Sequence, residues 1–321
     1  MNWSKILYVC LGVFLFCACY EEDSLTGTDE EEEFLRYEFP QGDHSWDKDI
    51  ENIQDEFGVY LIYRGFKKAD FNRSWTGSGF LSVEMEGEDL TDEQAEFSAN
   101  FMKNHIFAYL TPKIVSKVLP MYWYMIYDYH NSISLPIPGF EMILKVAHPF
   151  SYDGLDFWGV CLFYGDPCPL TGERVKTPET PEEFAIRRGE ILGFIMGKAY
   201  EKGNFEIPAD FHNGLDYKTE ITSKYGDEDK ENFYVRRGFV GKMGPRFDSY
   251  SGLEKISDAI PDRVFLEHIN FAIRYTDEEY ESMWPSASYP LVHEKRNYVI
   301  KYMKDKYNID LRAIARGPEN E

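Results

Sequence analysis

The sequence predicts an α+β fold, strand-rich in its N-terminal half and helical in its C-terminal half. Three observations carry this. Short β-rich, aromatic runs separated by Pro and Gly occupy residues 59–164. After Thr177 the pattern changes to helices, with starts marked at Thr180, Pro261, Thr276 and Pro290. The strands come first and the helices afterwards, which is the order of an α+β chain and not of an alternating α/β one. No internal repeat at a fixed period is present.

In chain order, Asp47–Phe57 reads as a helix and Val59–Phe66 as a strand, followed by a second strand at Phe80–Met85. Thr91 to Gln94 forms a capping box, so a helix is expected from Asp92 to about Leu110. Leu119–Asp128, Phe140–Val146 and Phe157–Tyr164 complete a small sheet. Thr180-Pro181-Glu182-Glu183 combines an N-cap, a first-turn proline and a box-closing glutamate, and its helix should reach about Tyr200. Pro261 opens a helix to Arg274, Thr276 caps a short one, Pro290 opens one to Tyr307, and Ile309-Asp310-Leu311 leads into a last short helix.

The N-terminus is the most specific segment. Lys5 precedes an apolar run, Ile6–Phe16. That run is too short for a bilayer core of about 30 Å, which takes roughly 20 residues. It reads as a secretory signal, residues 1–18. Phe16-Cys17-Ala18-Cys19 resembles a bacterial lipobox, which would leave Cys19 as a lipidated N-terminus; the plainer alternative is a signal cleaved after Ala18 without lipidation. The acids that follow, Glu21 to Asp23 and Glu30 to Glu33, resemble the surface-export signal of Bacteroides-type lipoproteins. The expected location is therefore the outer membrane, lipid-anchored and facing outward. Residues 19–46 read as an acidic tether and 47–321 as one domain.

The formal charge is −22, and Lys5 is the only charge lost with the signal, so the mature chain carries −23. Such a chain repels nucleic-acid backbones, and a nucleic-acid function is excluded. With 43% hydrophobic and 17% aromatic residues, the mature body has ample material for a core and is not a disordered chain. Of five cysteines, Cys161 and Cys168 flank a Gly165-Asp166-Pro167 turn. The turn and an oxidising compartment permit a disulfide; two free thiols are the alternative. The seven histidines show no pair at one-turn spacing, and no hydrolase elbow, phosphate loop or dinucleotide fingerprint occurs. Tyr122, Trp123 and Tyr124 offer either a ligand or partner surface or plain core packing.

The helix 182–200 is apolar on nearly every side and reads as buried and central. Gly189, Gly193 and Gly197 are spaced one turn apart along it. Each costs about 1 kcal/mol relative to alanine in a helix interior, so something must compensate, such as close approach of another backbone.

From about Asp47 to Arg316 the chain resembles the substrate-import-associated zinc metallohydrolase lipoproteins of Bacteroidetes, which are relatives of zinc-binding metallopeptidases. The residues that carry this are Phe57-Gly58-Val59 to Tyr63, Arg237-Gly238-Phe239-Val240, Phe265-Leu266-Glu267, Thr276 to Tyr280, Lys295, and Tyr307-Asn308-Ile309-Asp310-Leu311. The resemblance implies a zincin-like fold with HExxH on the buried helix, two histidines holding zinc and the glutamate acting as base. Here the matching residues are Gly189-Glu190-Ile191-Leu192-Gly193. The glutamate remains and both histidines are glycine. The family's third ligand falls near Asp262 or Arg263, and counting from Glu267 favours Arg263. No metal or other cofactor is therefore expected. Glu190 becomes either a base without its metal or a buried carboxylate paired with Arg187, Arg188 or Arg263. The resemblance further implies a non-catalytic accessory subunit of a TonB-dependent nutrient importer of the starch-utilisation type, with the transporter and its substrate-binding lipoprotein as partners. It would bind peptide or glycan, or brace the transporter. The alternative is a metallohydrolase that acts on substrate before import.

Overall fold

A computed structural model of the chain describes residues 35–73, 84–137, 140–152, 154–165 and 176–318. The expected signal, Cys19, Cys168 and most of the tether lie outside these residues. The packed domain begins at Tyr37, earlier than the expected boundary at Asp47. The reason is aromatic: Tyr37 is buried edge-on against Phe66, Tyr122 and Tyr124, and Phe39 packs on Tyr60. Gln41 then fastens the segment, its side-chain oxygen accepting from the backbone N–H of Tyr63 at 2.7 Å.

The strands are β1 (Tyr60–Ile62), β2 (Met85–Glu88), β3 (Tyr122–Ile137), β4 (Phe140–Ala147), β5 (Phe150–Ser151) and β6 (Phe157–Phe163), and they form one mixed sheet. β3 is its spine. Its first half runs parallel to β1 (Tyr60 opposite Tyr122) and to β6 (Trp123 opposite Trp158). Its second half pairs antiparallel with β2 and β4. The changeover is a bulge: Asp128 adopts a left-handed φ of 52°, and the register to β6 shifts between Met125 and Tyr127. The Asp128 carboxylate holds the bend by an ion pair with Lys145.

The helices are α1 (Ser45–Phe57), α2 (Lys68–Phe71), α3 (Asp92–Phe101), α4 (Pro181–Glu201), α5 (Pro261–Arg274), α6 (Asp277–Met283), α7 (Pro290–Tyr307) and α8 (Leu311–Arg316). Strands thus dominate the first half and helices the second, as the sequence predicts. The helix expected to run from Asp92 to Leu110 stays α-helical only to Phe101, widens into a π-helical turn over Met102–Ile106 and tightens into a 3₁₀ turn over Phe107–Tyr109. The widened turn brings His105 flat between Phe101 and Phe184, where the Arg188 guanidinium meets its Nδ1 at 2.9 Å.

Tyr122, Trp123 and Tyr124 do not form a surface. All three are at most 3% exposed. Alternation along β3 sends Trp123 to one face, against Phe107 and Trp158, and its neighbours to the other, where Tyr37, Phe66, Phe71 and Phe157 enclose Tyr124. Both faces of the sheet are covered, so both sets of rings belong to the core. Trp123→Ala is expected to destabilise the protein by about 3–5 kcal/mol, read from the midpoint of denaturant unfolding.

Candidate functional site

α4 is the element around which the candidate site is built. Thr180 accepts from the N–H of Glu183, and the Glu183 carboxylate accepts from the N–H of Thr180 at 3.0 Å. Lys176 pairs with Glu183 at 2.7 Å and, with the backbone N–H groups, holds its carboxyl down at about 2. Past this cap the helix enters the core, with Ile191, Leu192 and Ile195 fully buried.

What compensates for the glycines is a side chain and not a backbone. A short hairpin, β7 (Lys242–Met243) and β8 (Tyr250–Ser251), carries Phe247 at its turn in a left-handed conformation, φ 58°. The Phe247 ring lies on the bare face of α4. A Cβ at Gly189 would come within 2.7 Å of this ring and one at Gly193 within 2.1 Å, so glycine is required at both positions. The turn is held from both sides: the Phe247 N–H donates to the Gly244 carbonyl at 2.9 Å, and Arg274 Nε on α5 donates to the Phe247 carbonyl at 2.9 Å. Among the described residues nothing comes within 4 Å of a Cβ at Gly197, and the structure gives no reason for glycine there.

Glu190 is paired with Arg187. The contact is 2.6 Å, and both side chains are under 10% exposed. Arg187 also donates to the Pro149 carbonyl at 2.9 Å and the Cys161 carbonyl at 2.7 Å, which ties α4 to the sheet. Burial pushes the Glu190 carboxyl up, opposed by Arg187 and Arg246 and reinforced by Asp248. Glu190 forms a common wall of two adjoining cavities. One, of about 220 Å³, extends towards Lys176 and Asp248. The other, of about 360 Å³, extends past Phe247 to Tyr152, Phe194 and Asn270.

Arg263 is not part of this site. It is exposed near the start of α5 and borders a separate pocket of about 60 Å³ beside Lys242 and Asp258. The α5 residue that reaches the crevice is Asn270, two turns further along, which donates to Glu267 at 3.2 Å. Glu267 also accepts from the Met243 N–H at 3.0 Å, and burial pushes its carboxyl up. Cys161 carries a free buried thiol that accepts from the N–H of Tyr129 and donates to the carbonyl of Phe163, each at 3.3 Å. Phe247, Arg246, Tyr152, Phe194 and Asn270 were not singled out from the sequence. The one usable signal was the paired glycines, which announce a bulky neighbour without naming it.

The zinc ion that the resemblance implies does not fit these residues. Positions 189 and 193 supply no donor atom, and the space their side chains would enter holds the ring of Phe247. Among the described residues no three His, Cys, Asp or Glu side chains gather as a metal-holding group.

No protein-family model and no curated protein matches the chain. Among solved structures it is similar to a Bacteroides caccae protein named as a candidate zinc-binding metallo-peptidase, at 13% identity and a TM-score of 0.42, covering 84% of this chain and 88% of that one.

The packing has measurable consequences. Gly193→Ala should destabilise the protein although alanine is the better helix former by about 1 kcal/mol, because its methyl group meets the Phe247 ring. In a Phe247→Ala background, itself about 3–5 kcal/mol less stable, the same change should become stabilising. Gly197→Ala should stabilise by up to about 1 kcal/mol in either background. A double-mutant cycle by urea unfolding reads all three. For Glu267 the folded-state pKa is raised, so its cost is absent at low pH and grows as pH rises through the unfolded value of about 4.5. Glu267→Gln should therefore raise the thermal midpoint at about pH 7 and leave it unchanged at about pH 4.

Proposed function

We propose that this protein is a non-catalytic, lipid-anchored accessory subunit of an outer-membrane nutrient importer, with a metallopeptidase-like body whose metal centre has been replaced by packing. The observation that supports this best is the Phe247 ring on the Gly189–Gly193 face of α4. A zinc hydrolase needs two donors projecting from that face and a base that can reach the metal-bound water. Here an aromatic ring fills the space, and Arg187 holds the only carboxylate of the motif. The protein is then free to serve by binding, either of imported peptide or glycan or of the transporter itself.

The anchor rests on Cys19 in its lipobox and the acidic tract behind it. Lipid attachment confines the protein to the membrane plane and raises the effective concentration of any co-anchored partner, so a modest interface suffices for a stable complex. The companions are a TonB-dependent barrel and its substrate-binding lipoprotein.

Four experiments test this. After dialysis against trace zinc the purified protein should hold far less than one metal ion per chain; one tightly held zinc per chain would overturn the reading. Joint replacement of Gly189 and Gly193 by histidine should give a destabilised, metal-poor protein, because both new side chains meet Phe247. Extraction of native membranes in mild detergent should recover the barrel and its lipoprotein with this protein, and Cys19→Ala should release it from the membrane. A solitary protein in native extracts, with crosslinking also empty, would remove the importer from the proposal.

A further inference from the structure

We propose that the crevice between Tyr152 and Arg246 is a binding site for a neutral polyhydroxylated ligand, one or two pyranose rings of a glycan, stacked on Tyr152 and hydrogen-bonded by Arg246, Glu190 and Asn270. The crevice holds about 360 Å³. That is at the lower end of small-molecule sites, roughly 300–1,000 Å³.

The first argument is the platform. Tyr152 is 54% exposed, unusual in a chain whose other rings are mostly buried. It is nevertheless fixed in place: its ring stacks on Phe194 at 4.0 Å between centroids and 26° between planes, and Phe150 and Trp158 back the pair. Such a stack presents a flat, rigid aromatic face at low entropic cost, and flat apolar faces with polar edges are what the C–H side of a pyranose offers in return.

The second argument is the opposite wall. Arg187 spends its guanidinium on three short contacts, whereas among the described residues Arg246 makes one long one, to the Ala147 carbonyl at 3.5 Å, and its buried Nη1 has no hydrogen-bond partner. A guanidinium that lines the crevice with a buried, unpartnered N–H has hydrogen-bonding capacity left for an incoming acceptor. Beside it Glu190 supplies acceptor oxygen, and the Asn270 amide borders the same space. Donors and acceptors side by side match hydroxyl groups, which do both at once.

The third argument is charge. Arg187 offsets Glu190, while Arg246 and Asp248 act on Glu190 with opposite signs. In the lining of the crevice itself one carboxylate, Glu190, is matched by one guanidinium, Arg246, within a chain of −22, which disfavours anionic ligands such as uronates and gives a cation no excess of acid to bind.

The proposal rests on the reading of this cleft as catalytically silent, and one experiment separates the two. The full-length lipoprotein in mild detergent is titrated with neutral α- and β-linked gluco-, manno- and galacto-oligosaccharides, and in parallel with oligogalacturonate and trialanine. Heats of binding and the intrinsic tryptophan fluorescence are followed, and each mixture is then assayed for cleavage. The expected result is binding of at least one neutral oligosaccharide, recovered intact. Tyr152→Ala and Arg246→Gln should each weaken it about tenfold, as for loss of one stacking or charged partner. Tyr152→Ala should lower the thermal midpoint only modestly, by the loss of its stack on Phe194, and the protein should remain folded at the titration temperature. Absence of binding by every neutral sugar, tighter binding of trialanine or oligogalacturonate, or binding indifferent to Tyr152→Ala overturns the proposal. Cleaved sugar would instead overturn the silent-cleft reading and leave the site standing.

Discussion

The contact between the Phe247 ring and the glycine face of α4 is the constraint on which the rest of the helical half depends. α4 is the helix that touches both the sheet and the C-terminal helices, and its bare stripe is usable only if something bulky covers it. The covering ring comes from a turn that has little regular structure of its own. Its left-handed backbone costs of order 1 kcal/mol or more, which burial of an aromatic side chain readily offsets. Arg274 then locks the carbonyl of the same residue to α5. One side chain thereby fixes the spacing of α4, the hairpin and α5 at once.

A second theme is the use of buried cations as fasteners between distant segments. Arg187 joins α4 to carbonyls of the sheet, Arg188 reaches the Ala315 carbonyl at the C-terminus, Arg296 reaches that of Tyr275, and Lys295 reaches that of Asn213. Each is under 5% exposed. Carbonyl groups left over at strand and helix ends need donors when buried, and a long cationic side chain can supply several from one position. These residues look like surface charges in a sequence, yet they are part of the core.

How much was legible in the sequence follows from the range of the signals. Caps and periodicity act over a few residues, so the boundaries at Thr91, Thr180, Pro261, Thr276 and Pro290 could be read directly. The first half of β3 and the whole of β6 were legible from composition; the continuation of β3 past the Asp128 bulge to Ile137 was not, nor was their two-sided burial, because composition cannot say what covers the second face. Arg263 was placed by counting along the chain, and the structure puts Asn270 at the crevice instead. Phe247 was invisible for a deeper reason: it acts across a long stretch of chain, through a turn without periodicity, on partners that have no side chain to signal the contact.

The seating of Phe247 also shapes which sequences lie within reach of this one. Histidine at either glycine alone meets the ring, and removal of the ring alone opens a hole against α4. Donor-bearing variants of this helix are therefore separated from the present chain by a fitness valley that single substitutions do not cross. Variation should accumulate at positions that touch neither ring nor crevice, such as Gly197, while the two glycines and the phenylalanine change only as a set.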